Sequence, residues 1–123
     1  MAKILIAEDD ESMRETVRRA LLLAGHEVTA VHNGAEALHA LRGGFAAGLL
    51  LADIKMPVMD GIELALAVAR DKPELPILLM TGYADQGARA SGLEALIHGV
   101  LVKPFSLETL RQAVSEALAG AAG

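Results

Sequence analysis

The 123-residue chain is long enough for one domain with its own core, and Leu, Ala, Val and Ile supply most of its 53% apolar content. A formal charge of −5 with scattered basic residues argues against nucleic acid as a partner, and Phe45, Phe105 and Tyr83 are too few for a base-stacking surface. The absence of cysteine excludes disulfide, thiolate and Cys-zinc chemistry; with no signal-peptide core and no membrane-length apolar run, the expected location is the cytoplasm.

Ile4 to Ala7 is an apolar run that reads as a first buried strand, ending in Glu8-Asp9-Asp10. Met13, Val17, Ala20, Leu21 and Ala24 then recur at helical spacing, and Gly25 stops that helix. Asp10 reads as its cap. Arg14, Arg18 and Arg19, beside Glu11 and Glu15, read as its solvated face. Glu27 to Val31 is a second, shorter strand. Asn33 and Glu36 have the chemistry of a capping box and open a second helix to about Arg42, closed by Gly43-Gly44.

Leu49-Leu50-Leu51 lies in the most apolar stretch, Phe45 to Ala52, and reads as a strand buried on both faces with Asp53 directly after it. Met56-Pro57 and Asp60-Gly61 punctuate a loop before a third helix, which runs from Gly61 or Ile62 to about Asp71. Ile77 to Met80 is a fourth strand, ending at Thr81-Gly82. Between 84 and 98, Leu93, Leu96 and Ile97 suggest a short helix that Gly87 and Gly92 weaken. Val100 to Val102 is a fifth strand, followed by Lys103-Pro104-Phe105. Ser106 caps a last helix with the stripe Leu107, Leu110, Val114, Ala117 and Leu118. Residues 1–119 then form one domain and residues 120–123 a short flexible tail. Five strands alternating with five helices predict an α/β fold, a doubly wound parallel sheet with helices on both faces.

In such a sheet the C-terminal strand ends share one rim, where ligand sites gather. That rim collects Glu8 and Asp9, Asp53, Thr81 and Lys103. Clustered carboxylates repel one another unless they are neutralised, and oxygen ligands suit a hard cation such as Mg2+. The Lys103 ammonium and the Thr81 hydroxyl complement a phosphoryl group, which makes Asp53 a candidate nucleophile forming an acyl phosphate. His26, His32, His39 and His98 fall away from the rim and read as surface residues. Met13, Met56, Met59 and Met80 read as packing.

The run Asp53-x-x-Met56-Pro57-x-Met59-Asp60-Gly61, with the acidic pair, Thr81 and Lys103-Pro104, resembles a response-regulator receiver domain of the CheY-like superfamily. The resemblance covers essentially the whole chain. It implies a flavodoxin-like strand order 2-1-3-4-5. It also implies Mg2+ bound by Asp9, Asp53 and the backbone carbonyl of Lys55, with Glu8 acting through water. Asp53 would be the phosphoacceptor, Thr81 the switch hydroxyl, Lys103 a phosphate contact and Pro104 a cis proline. The implied donor is a sensor histidine kinase or histidine phosphotransfer protein. The implied output is a protein partner, bound through the face of the fourth helix, fifth strand and last helix, with neither nucleic acid nor membrane involved. Such a domain is a signalling module that assists its own phosphorylation and dephosphorylation, not a conventional enzyme.

Two positions depart from the pattern. Val100 stands where receivers often carry an aromatic switch residue, a role that falls to Tyr83 if any ring here takes it. Lys55 puts a flexible cation where the family tunes acyl-phosphate lifetime. The stretches Ala7-Glu8-Asp9-Asp10, Met59 to Ala65, Thr81 to Ala84 and Lys103-Pro104-Phe105 are similar to CpdR-type single-domain receivers. That similarity implies a stand-alone regulator without a DNA-binding output, docking on the ClpX unfoldase to control ClpXP proteolysis. The alternatives are a receiver excised from a hybrid histidine kinase and a small metal-dependent phosphatase. The second is disfavoured because no second acid–base pair is present.

Overall fold

Five parallel strands form one sheet in the order β2-β1-β3-β4-β5. They are β1 (Lys3–Ala7), β2 (Glu27–Val31), β3 (Leu49–Asp53), β4 (Ile77–Thr81) and β5 (Gly99–Val102). The structure, a computed structural model, describes residues 2–82, 93 and 95–122. The helices among them are α1 (Glu11–Leu23), α2 (Gly34–Arg42), α3 (Gly61–Asp71) and α4 (Leu107–Ala122). The short helix expected between 84 and 98 falls largely outside the described residues. At its end the Leu96 and Ile97 N–H groups both donate to the Leu93 carbonyl.

Strand periodicity divides the core in two. Leu5, Leu50, Ala52, Ile77 and Leu79 point to one face and pack with α2 and α3 through residues such as Leu38, Leu41, Leu64 and Val68. Ile4, Ile6, Leu49, Leu51, Leu78 and Met80 point to the other and pack with α1 and α4 through Val17, Leu21, Leu110 and Val114. Every residue of β3 and β4 is buried, as expected for strands covered on both faces. Each fully buried Leu or Ile contributes about 1.5–3 kcal/mol by leaving water, so this alternation holds the sheet rigid beneath its loops.

The helix starts follow from capping chemistry. Asp10 accepts from the Ser12 and Met13 N–H groups at the start of α1. Asn33 accepts from Glu36 N–H at 2.9 Å, but the expected reciprocal bond goes elsewhere: the Glu36 carboxylate takes the His32 N–H. The complete capping box is instead at α3, between Asp60 and Glu63. Ser106 accepts from Thr109 N–H and opens α4.

Helix α4 carries the chain on to Ala122. One expectation needs correction. His26 is not a plain surface residue; it is half-buried, and its Nδ1 accepts from Ala2 N–H at 3.1 Å.

Candidate functional site

Strand register brings the rim residues to one level. Ala7 pairs with Ala52, so Glu8 emerges beside Asp53. Asp53 pairs with Met80, one residue before Thr81, and Thr81 pairs with Val102, one residue before Lys103. Backbone bonds lock these ends together: Glu8 N–H to Val31 O at 3.1 Å, Ile54 N–H to Met80 O at 2.9 Å, and Lys103 N–H to Thr81 O at 2.7 Å.

The side chains converge on a cleft of ≈ 430 Å³ lined by Asp9, Asp10, Asp53, Lys55, Gly82 and Lys103. Of the lining residues Asp53 is buried and Asp9 exposed, and Glu8 and Thr81 are buried at the strand ends beside them. A larger cleft of ≈ 640 Å³ lies over Val31, His32, Glu36 and His39, but among the described residues Glu36 is the one carboxylate that lines it.

Lys103 Nζ donates to Glu8 Oε1 at 2.9 Å and to Asp53 Oδ2 at 3.1 Å, bridging the two buried carboxylates. Burial raises the Glu8 carboxyl to about 7; the Lys103 hydrogen bond opposes that rise, and the charge of Asp53 adds to it. Burial acts to lower the Lys103 pKa, but its bond to Glu8 and the charges of both carboxylates outweigh burial, so the ammonium is held more firmly than usual.

One oxygen from each of Glu8, Asp9 and Asp53 lies within 4.8 Å of the others. All three donors are hard oxygens and one side of the group is open, so the set fits Mg2+, which keeps several of its waters. Pro104 follows Lys103 across a cis peptide bond. Val100 is half-buried and packs against the core on the α2–α3 face. Tyr83 lies outside the described residues.

The loop after β3 is fixed from several directions. Gly61 N–H donates to Ile54 O at 2.8 Å, and Gly34 N–H at the start of α2 donates to Met59 O at 3.2 Å. Val58, at its tip, holds a positive φ of 70° while 81% exposed, a conformation that is costly for a β-branched residue.

The sequence does not mark Arg14 as a neighbour of the site. Arg14 belongs not to a purely solvated face but to the acidic loop: its Nη1 donates to the Glu8 carbonyl at 2.9 Å, with Asp9 O at 3.5 Å. Its neighbours Arg18 and Arg19 do pair on the surface, with Glu15. The available signal was position: a helix side chain leans toward the N-terminus, so a long donor in the first turn of α1 reaches back over the preceding loop.

A doubly wound parallel sheet with an acidic trio and a bridging lysine at its C-terminal rim defines a CheY-like module. The model of the response regulator receiver domain matches residues 4–115, and the chain belongs to that family of two-component signalling domains. It is 42% identical over 118 residues to the response regulator protein FleR of Pseudomonas aeruginosa, covering 93% of this chain and 24% of that protein. It is 37% identical over 108 residues to the response regulator MprA of Mycobacterium avium, covering 88% of this chain and 47% of that protein. The chain thus spans between a quarter and a half of these curated relatives. Among solved structures, the response regulator TrrA of Thermotoga maritima, in complex with Mg2+–BeF, superposes with a TM-score of 0.86 at 29% identity, covering 95% of this chain and 99% of that one. A receiver domain protein of Clostridium thermocellum shares the fold, with a TM-score of 0.88 at 22% identity over 97% of this chain and 95% of that one.

Proposed function

We propose that this receiver accepts a phosphoryl group on Asp53 from a phosphohistidine of a histidine kinase or phosphotransfer protein, with Mg2+ as cofactor. The observation that carries the reading is the meeting of Glu8, Asp9 and Asp53 within 4.8 Å of one another, with Lys103 bridging two of them. Asp9, Asp53 and the Lys55 carbonyl would hold the ion directly and Glu8 through water. When bound, Mg2+ offsets the negative charge of the carboxylates and of the arriving phosphoryl oxygens.

An Asp53 carboxylate oxygen attacks phosphorus in line with the histidine nitrogen. The P–N bond breaks as the new P–O bond forms, and the imidazole leaves with the electron pair of the broken bond. Lys103 engages Oδ2 of Asp53 in the resting state and would exchange that contact for a phosphoryl oxygen. The Thr81 hydroxyl, at the end of the neighbouring strand, donates to another. Reading of the modified state by a protein partner is assigned to the side carrying β5 and α4, where Val102 is 63% exposed and Leu107 50% exposed.

Incubation with acetyl phosphate and Mg2+, followed by intact mass measurement, tests the chemistry. A single phosphoryl adduct is expected, and none when Mg2+ is chelated beforehand or in Asp53→Asn. An adduct that persists in Asp53→Asn overturns the assignment.

A further inference from the structure

The loop joining β1 to α1 is held by several hydrogen bonds. Glu8 N–H is tied to β2, Asp10 N–H donates to Glu8 Oε2 at 3.2 Å, and the Asp10 side chain caps α1. The half-buried residue Arg14 completes the set from the helix side, with its guanidinium against the carbonyls of Glu8 and Asp9. These carbonyls flank the one exposed carboxylate of the trio, that of Asp9. We infer that Arg14 is a positioning residue that fixes the Glu8–Asp9 backbone, and through it the Asp9 carboxylate, in the geometry that binds a divalent cation. The inference rests on the cation site proposed above.

Electrostatics alone gives the opposite expectation. A guanidinium beside an acidic cluster repels an incoming cation, so its removal should tighten binding. If Arg14 acts through geometry, its removal frees the Asp9 backbone to sample orientations in which the carboxylate misses the cluster, and binding weakens. Partners that orient metal ligands without touching the metal are worth 10–100-fold in affinity as a rule. The two accounts therefore differ in sign.

Mg2+ affinity of the full chain, measured by isothermal titration with magnesium chloride at constant ionic strength, decides between them. Arg14→Gln is expected to weaken Mg2+ binding about tenfold, and Arg14→Lys, which keeps the charge but loses the planar fork, to fall between it and wild type. In an Asp9→Asn background, Arg14→Gln should have no further effect, because the residue it positions no longer contributes a charge. Unchanged or tighter binding in Arg14→Gln overturns the inference, as does a lowered unfolding midpoint with unaltered Mg2+ affinity. Equal losses from Arg14→Gln in the two backgrounds would overturn the route through Asp9. A wild-type chain that binds no Mg2+ overturns the cation site itself, a failure distinct from that of Arg14.

Discussion

A Cβ placed on Gly61 would lie 2.3 Å from the carbonyl oxygen of Asp53, so α3 begins in direct contact with the strand end that carries the candidate phosphoacceptor. The same Cβ would lie 2.9 Å from both the Asp53 carbonyl carbon and Ile54 Cα. These are backbone atoms of a fully buried strand end and cannot swing aside like a side-chain tip. Gly61→Ala is therefore expected to destabilise the fold by about 1–3 kcal/mol, toward the upper end of the overpacking range. Urea unfolding gives the value. A change within about 0.5 kcal/mol, as for an ordinary surface substitution, would mean that the loop yields freely.

Val58 offers the reverse case. Its φ of 70° costs about 1–3 kcal/mol for a residue with a branched Cβ, while its 81% exposure leaves little packing to lose. Glycine adopts that backbone without strain but adds about 0.4–1 kcal/mol of unfolded-chain entropy. The strain term is the larger, so Val58→Gly should stabilise the protein by about 1 kcal/mol, and Val58→Ala should not, because a Cβ remains. If urea midpoints put Val58→Gly below Val58→Ala, the loop's conformation is not strained.

Much of this site was readable because parallel sheets convert order along the chain into position on a rim. Once Ile4 to Ala7, Leu49 to Leu51, Ile77 to Met80 and Val100 to Val102 are read as strands, Glu8, Asp9, Asp53, Thr81 and Lys103 must emerge at the same edge. What was missed depends on tertiary direction rather than on residue type. Arg14 carries the same charge as Arg18 and Arg19, and its place in the first turn of α1, within reach of the preceding loop, separates a clamp from a surface pair. The Glu36 bond to His32 N–H, instead of Asn33 N–H, shows the same limit on a smaller scale. The capping residues were visible, but the path of the chain into the helix chose the donor. Gly61 read as loop punctuation, while its closeness to Asp53 follows from α3 packing down on β3.

Three carboxylates within 4.8 Å, only two of them bridged by Lys103, should make stability respond to divalent cations. A ligand bound only by the folded state adds about 2.7 kcal/mol when its free concentration is a hundred times Kd. The urea midpoint of the wild type should rise accordingly in Mg2+ and return to its starting value on chelation. Potassium chloride at matched ionic strength, which only screens, should give a much smaller rise. Asp9→Asn removes a carboxylate of the trio and should flatten the Mg2+ response while raising stability without the ion. Equal wild-type midpoints in Mg2+ and in chelator would argue against a cation site at the rim.

His26 provides a pH-dependent contribution away from the rim. Burial lowers its pKa below 6.5 in the folded chain, and the bond from Ala2 N–H requires a lone pair on Nδ1. The unfolded chain keeps a pKa near 6.5 and so binds more protons in the interval between the two values. This contribution is therefore fully present above the unfolded pKa and is lost as pH falls through 6.5 toward the folded value. Glu8, raised to about 7, titrates nearby with the opposite sign, since its folded form binds the proton more tightly than the unfolded chain. Glu108, Arg111 and Glu116 of α4 line the same cleft as His26 and remain in any His26 variant. The informative quantity is thus the difference between wild type and His26→Asn, whose amide oxygen can still accept from Ala2. Unfolding free energies measured in chelator at pH 7.5 and 5.5 should show wild type losing more, or gaining less, than His26→Asn across that interval. Parallel pH responses in the two proteins would show that His26 is as readily protonated in the fold as in the unfolded chain.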